Sequence, residues 1–538
     1  VAAASYATNL TDITLAANTT NFTAVGGGGA ITAETDFSIQ DTTCVSKATA
    51  ATWDTAGTPR GGVLFNNGAG VTIPTDGAVL MWIYWWGPGV LATKANGGAE
   101  LNFGNSTTAY YGQYVTGSDD WQFGGWRCYP VDPGVTPRDR TAGAPSGTWQ
   151  YFGWQANVGV AASIGKGNPY GIDAIRYGRC DLVVTNGDLA NGYATFLGAA
   201  NWDNTSTRRL GLLIPRDGAY YMQGLFQIGS SGTAADFRDA NRAIFIANTE
   251  KVTANFNTIE VLNASTRVDW TSISITALGT VSKGRFLATA NADINISSCT
   301  FTDMNNFDFQ SNSTVLNSTF RRCGIVTVGG ASFDTCTFDS ATGTHAVATT
   351  DLGLLDGCTF ISDGTGHAVD LGTVSSTTAM NWNCNASGYA GTNGSTGNET
   401  IKVNVAASQT LTINVAAGAT TPTYYNTGTG SVSVVSGQVT TRITVKDADT
   451  GAAITTQNVR VYVEAGAGGP LGEGTVIFNA LTNASGYVED VRSLASDQPI
   501  TGWIRKGSGT PYYKQSDVVG TIDNASGLDL TILLIRDD

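Results

Sequence analysis

A short phrase recurs between Asn295 and Val369, and its spacing limits the folds open to this chain more than any other feature. It reads INISSCTF ending at Phe301, LNSTF ending at Phe320, FDTCTF ending at Phe338 and LDGCTF ending at Phe360, so the final Phe returns after 19, 18 and 22 residues. Cys336 and Cys358 lie 22 residues apart, as do His345 and His367, the only histidines present. A period of about 20 residues, closing on a small residue, Thr and Phe, suits a coil of short strands and turns stacked on the next coil. A leucine-rich repeat has a similar period, but its leucine ladder is missing here, and the intervening residues lack the 3.6-residue periodicity of a helix. The repeat therefore predicts a parallel β-helix. Its recurring core would be Cys299, Phe301, Phe320, Cys336, Phe338, Cys358 and Phe360 with His345 and His367, like residues stacking about 4.8 Å apart.

Composition carries the β reading to the rest of the chain. With 67 Gly and only 13% charged residues in 538, the chain is a poor helix former and a good builder of strands and tight turns, so the expected class is all-β. A net charge of −14 without a Lys/Arg cluster excludes nucleic acid as a partner, because phosphate binding needs a basic face. No apolar run approaches the roughly 20 residues of a membrane-spanning helix, so membrane insertion is not expected. The eight cysteines lack metal-ligand spacing such as CxxC and read as free thiols packed as small apolar groups, although a disulfide between adjacent coils stays open.

Four segments follow. Residues 1–34, small, polar and ending in Gly26 to Gly29, read as an extended arm or linker. Residues 35–225 hold nine of the twelve tryptophans, in strand-like runs such as GAVLMWIYWW and TWQYFGWQANV separated by turn residues, and predict an aromatic-rich sandwich or jelly roll. Residues 226–437 are assigned to the β-helix, with RAIFIAN capping its open end and IKVNVAASQTLTINVAAGA forming a strand pair that closes it. Residues 438–538 describe about seven strands, and the modules they resemble, named below, imply an Ig-like sandwich.

Candidate binding residues are the aromatics in loop-like context: Tyr110, Tyr111, Trp121, Trp126 and Trp149. Pyranose faces stack on such rings and bury C–H surface there, while the competing reading for each is core packing. Asp119 and Asp120 supply two carboxylates toward Ca²⁺, too few for a site, so neither a metal nor a cofactor is expected. Asp334 and Asp356 occupy the same place in successive copies and would lie near the separation of a retaining glycosidase pair. A turn role competes, since Asn317 takes the equivalent place in the preceding copy, and no catalytic residue is assigned. His345 and His367 lack a third recurring ligand and read as structural.

Three resemblances add to this. The block TPRGGVLFNNGAGVTIPTDGAVLMWIYWW with GIDAIRYGRCDLVV resembles concanavalin-type or laminin-G-type sandwiches. Asp447, Thr450, Gly451, Thr482, Asn483, Gly486 and Tyr487 match the turns of transthyretin-like or carboxypeptidase-regulatory-like modules. The order of parts as a whole resembles appendage proteins of tailed bacteriophages. That resemblance implies a non-enzymatic virion protein (tail fibre, spike or head-surface decoration), assembled in the host cytoplasm and displayed on the virion surface. Its implied partners are other virion proteins, a host-surface or environmental polysaccharide, and further copies of itself, trimers being common among such spikes. An enzymatic tailspike that depolymerises polysaccharide and a secreted bacterial adhesin are the alternatives.

Overall fold

The structure is a computed structural model and describes residues 3–26, 30–48, 60–87, 91–121, 123–135, 138–145, 149–158, 169–186, 192–289, 291–394, 397–435, 437–455, 458–494 and 496–537. Gly27 to Gly29 and Trp53 lie outside the described residues. The described chain is almost entirely β, and divides into two compact units, Val1–Ala331 and Ser332–Asp538.

The first unit opens with a sandwich of two six-stranded sheets. One carries Gly125–Val131, Ala78–Trp85, Pro169–Gly178, Cys44–Ala48 and Ile31–Glu34 in that order, with Thr11–Thr14 paired to Pro169–Gly178. The other carries Arg140–Ala142, Tyr110–Thr116, Ala99–Gly104, Trp149–Asn157, Arg60–Val71 and Phe22–Gly26. Alternation along the strands sends Met81, Ile83 and Trp85 from one sheet and Leu101, Phe103, Phe152 and Trp154 from the other into one shared core.

The predicted arm is instead woven in. Ser5–Ala7, Thr11–Thr14, Phe22–Gly26 and Ile31–Glu34 each pair antiparallel with a strand beyond residue 43. Small polar residues mislead here because a strand that joins an existing sheet satisfies its backbone whatever its side chains are. Ile13 and Ala16 are buried by the docking.

Stacked parallel rungs follow, one strand per rung in each of three sheets. One rung is Thr258–Val261, Arg267–Thr271 and Ser274–Ala277, and the next is Arg285–Ala288, Asp293–Ser297 and Thr300–Thr302. The stack begins earlier than residue 226, because Asp181–Thr185 already pairs parallel with Leu225–Ile228. RAIFIAN is an interior rung strand, Ala243–Ile246, flanked by Ala219–Met222 and Ser274–Ala277. The covering role falls to a helix, Phe196–Asp203, capped by the Thr195 side chain, which accepts from the Gly198 N–H at 3.0 Å. Its Phe196 ring lies 4.9 Å from Phe237 and 5.2 Å from Phe226, sealing apolar surface that an end rung would expose.

The predicted columns are present in each unit. In the first, Phe301 pairs with Phe320, ring centroids 5.0 Å apart and planes 24° apart. In the second, Phe338 pairs with Phe360 at 5.0 Å and 10°, and Phe360 stacks on Trp382 at 5.9 Å. Burying each ring contributes roughly 1.5–3 kcal/mol. All eight cysteines are buried free thiols. One place before the small residue, the chain turns through a left-handed conformation at Ser298, Asn317 and Thr335 and at Gly357 (φ 55°, 48°, 54° and 60°). Asn317 thus corresponds to Thr335 and Gly357, not to Asp334.

In the second unit, Ile401–Val405 and Thr410–Val415 do not pair with each other. The former pairs parallel with His367–Val374 and the latter with Thr378–Trp382, so they occupy two faces of one rung. The unit ends in a sandwich of a three-stranded sheet (Tyr487–Ser493, Gln438–Asp447, Leu528–Leu534) and a four-stranded one (Val476–Leu481, Arg460–Ala465, Gln498–Lys506, Tyr513–Ile522). The turn residues act as their types suggest. The Asp447 carboxylate accepts the N–H groups of Asp449 and Thr450, Asn483 accepts those of Ser485 and Tyr487, and Gly451 and Gly486 have positive φ.

Candidate functional site

In the first unit the edge strand Gly125–Val131 and the loop before it open onto a cleft of about 600 Å³. Among the described residues the strand pairs only with Ala78–Trp85, placing Trp126 opposite Tyr84, Arg127 opposite Ile83 and Cys128 opposite Trp82. An edge strand leaves side chains from both of its faces within reach of one opening, and here Trp126, Arg127 and Tyr129 all line it. The facing wall is built from rung ends: Ile214, Arg216 and Tyr221, then Asn248, then Leu278. The floor is held by hydrogen bonds. Trp82 Nε1 donates to the Arg209 carbonyl at 2.7 Å, and Gln223 Nε2 donates to the Gly211 carbonyl at 2.7 Å.

Phe123, on the loop, is 70% exposed at the mouth of this cleft, and Leu278 opposite is 49% exposed. Trp126 is fixed by its Nε1, which donates to the Phe37 carbonyl, and by the Tyr84 ring at 5.4 Å. Tyr221 stacks on Phe245 at 5.3 Å, with the Arg216 guanidinium 5.7 Å from its ring centre. Burial pushes the Tyr129 hydroxyl up from its ordinary value and pushes the Cys128 thiol up as well, so at neutral pH both are neutral and neither is a ready nucleophile. Aromatic faces at the rim with polar groups between them can hold a sugar ring by its C–H face and orient its hydroxyls.

Of the five aromatics singled out from the sequence, only Trp126 lines this cleft. Trp121 is fully buried in the sandwich core, and Tyr110 is buried with its hydroxyl accepting from Gln155 Nε2 at 2.8 Å. Tyr111 and Trp149 are half-buried on the other sheet, 6.0 Å apart, with the Arg138 guanidinium 4.0 Å from the centre of the Tyr111 ring. Trp121 and Tyr110 therefore cannot serve as sugar-stacking surfaces: Trp121 lies in the core between the sheets, and Tyr110, on the outer face of its sheet, is covered by Gln155 and by the Arg140 guanidinium 5.3 Å from its ring centre. Phe123, Tyr129 and Tyr221 went unnoticed. A signal for Phe123 was available in its setting, an aromatic followed directly by Gly124 and Gly125, where the chain turns and cannot bury a ring.

The other candidates have local roles. Asp119 accepts the Lys94 N–H at 2.9 Å and so caps a turn. Asp334 and Asp356 are paired in register, but each is exposed and accepts a hydrogen bond from its surroundings, Thr335 Oγ1 and Asn383 Nδ2 respectively, both at 2.5 Å. His345 and His367 also stand in register. His345 lies 3.6 Å from Asp370, and burial lowers its pKa. His367 Nδ1 is 2.8 Å from the Glu399 carbonyl, and its ring stacks on Tyr425 at 6.0 Å. Among the described residues, no group of three or more His, Cys, Asp or Glu side chains is arranged to hold a metal ion. Among them, too, no helix is long and apolar enough to cross a membrane.

Neither the scan against protein-family models nor the search of curated proteins finds a match for this chain. Among solved structures, it is similar to one described as the structural basis for the promiscuous specificity of carbohydrate-binding modules from the β-sandwich superfamily. The identity is 14% and the TM-score 0.16, with 29% of this chain and 56% of that chain covered. This chain thus spans little more than half the length of that structure.

Proposed function

We propose that this chain is a non-enzymatic glycan-binding structural protein, in which stacked rungs carry a sandwich whose edge cleft holds a polysaccharide. The observation that carries this reading is Phe123, left 70% exposed at the mouth of a cleft also lined by Trp126, Tyr129 and Tyr221. An exposed ring on a Gly-flanked loop gains little for folding, whereas a pyranose stacked on it gains buried area. The local hydrogen bonds of Asp334 and Asp356 favour turn roles over acid–base chemistry. The order of parts, with low charge and free thiols, supports placement on a phage virion facing host or environmental polysaccharide.

A panel of immobilised bacterial and plant polysaccharides, acidic and neutral, tests the binding role. The wild-type chain should be retained on a subset, and Phe123→Ala should lose retention without changing the melting temperature. Equal retention of the variant would defeat the cleft assignment. Release of new reducing ends or unsaturated sugars from the retained polymer would replace binding by depolymerisation. An antibody raised against the chain should decorate intact phage particles, and failure to label them would remove the virion placement.

A further inference from the structure

Arg127 differs from arginines of this unit such as Arg138 and Arg208, which lack an ion-paired carboxylate among the described residues but donate to a backbone carbonyl and lie over an aromatic ring. In a chain with 43 acidic and 29 basic residues, several arginines of this unit are held by a carboxylate. Arg140 is 3.0 Å from Glu100, Arg176 2.7 Å from Asp12, Arg238 2.6 Å from Asp236, Arg242 2.8 Å from Asp239 and Arg322 2.7 Å from Asp303. Arg127 is half-buried in the cleft wall, yet among the described residues no carboxylate lies within ion-pair distance of it. The remaining charges of the cleft are accounted for locally or stand off. Lys94 is paired with Glu250, and Arg216 pairs at the surface with its neighbour Asp217 at 3.1 Å. Asp120 lines the same cleft without reaching a cation.

A guanidinium held partly out of water without a counter-charge is costly, and its planar fork matches a carboxylate donor for acceptor. It stands in the strand that also carries Trp126 and Tyr129, four residues after Phe123. A sugar lying on the aromatic rim and bearing a carboxylate on its ring could thus offer that group to Arg127. We infer that the glycan held in this cleft is an acidic one, a uronic- or sialic-acid polymer, whose carboxylate pairs with Arg127; the inference rests on the glycan-binding reading above.

The test measures binding of the full chain to polygalacturonate, hyaluronan and polysialic acid, each beside its carboxyl-reduced form. At least one acidic polymer should bind about tenfold more tightly than its reduced counterpart, the size of one charge-assisted contact. The preference should shrink as salt is raised. Arg127→Gln should bring the ratio near one by weakening binding of the acidic polymer far more than that of the reduced one, Arg127→Lys should restore part of the ratio, and Phe123→Ala should weaken both forms. Wild-type binding of acidic and reduced polymers with equal affinity would overturn the acidic assignment and leave glycan binding standing. Failure to bind any of the six would overturn both. A ratio that survives Arg127→Gln in a variant of unchanged melting temperature would overturn the role of Arg127.

Discussion

Replacing Phe338 by Ala removes a ring that is 1% exposed, pairs in register with Phe360 and stacks on it at 5.0 Å with planes 10° apart. A second ring, Phe333, lies 6.0 Å away on the same rung. Deleting a fully buried Phe costs about 3–5 kcal/mol, because the rung cannot collapse into the space while its backbone is held by the ladder to Thr359–Ile361. About 0.5–1.5 kcal/mol of that belongs to the ring pair itself and should appear as coupling in a double-mutant cycle with Phe360→Ala. Stacked repeats answer mainly to their neighbours, so the damage should be local. Hydrogen exchange followed by mass spectrometry reads this directly. Protection in peptides covering Ser332–Asp339 and Leu355–Ile361 should fall by about a thousandfold, as 4 kcal/mol implies, while peptides covering Gln438–Asp447 keep theirs. Equal loss of protection in both regions, or a coupling indistinguishable from zero, would refute the idea that the Phe column is an inter-rung contact with its own energy.

Four further outcomes are expected. Thr335 is a β-branched residue at φ 54° where the next rung has Gly357 at φ 60°, so Thr335→Gly should raise stability by about 1 kcal/mol in urea unfolding. Burial pushes the carboxyls of Asp173 and Asp203 up to about 6, against backbone N–H groups that pull them down. A folded-state value above the unfolded one, about 3.9, means stability fully present below that pH and lost as pH rises through about 6. The change in unfolding free energy between pH 4 and 7 should therefore be less unfavourable in Asp203→Asn than in the wild type, and an unchanged slope would place the titration elsewhere. Trp121→Ala should destabilise the chain by about 3–5 kcal/mol without altering glycan retention of the folded protein. Trp126→Ala should weaken retention, which a side-by-side column assay would show.

The legible parts of the fold were those in which the residues that decide a conformation lie close together in the chain. A rung's turn is made within the phrase itself, where a residue tolerating the left-handed region precedes a small residue, Thr and Phe. That phrase repeats because the next rung needs the same turn. The turns at Asp447–Gly451 and Asn483–Gly486 were legible for the same reason, since each Asp or Asn bonds the backbone two to four residues on. The candidate site was mostly not legible. Residue type drew attention to Trp121 and Tyr110, but exposure depends on the face a side chain takes and on what a remote segment lays over it. A single residue separates Trp121, wholly in the core, from Phe123, largely in solvent, and aromatic character alone does not distinguish them. The N-terminal strands were missed because joining a sheet edge needs only backbone groups, and the partners lie from about ten to more than 170 residues away.

The amino-acid order alone determined the all-β class, the stacked period with its inward Phe and Cys, and the turn chemistry of the last hundred or so residues, since short-range sterics and alternation govern each of these. Only the tertiary structure decided that the first residues are sheet strands, that a helix and not RAIFIAN covers the rungs, and that one cleft gathers Phe123, Trp126, Arg127 and Tyr221. Those outcomes depend on burial and on unpaired charge, which are properties of what comes together across the fold and not of any stretch read by itself.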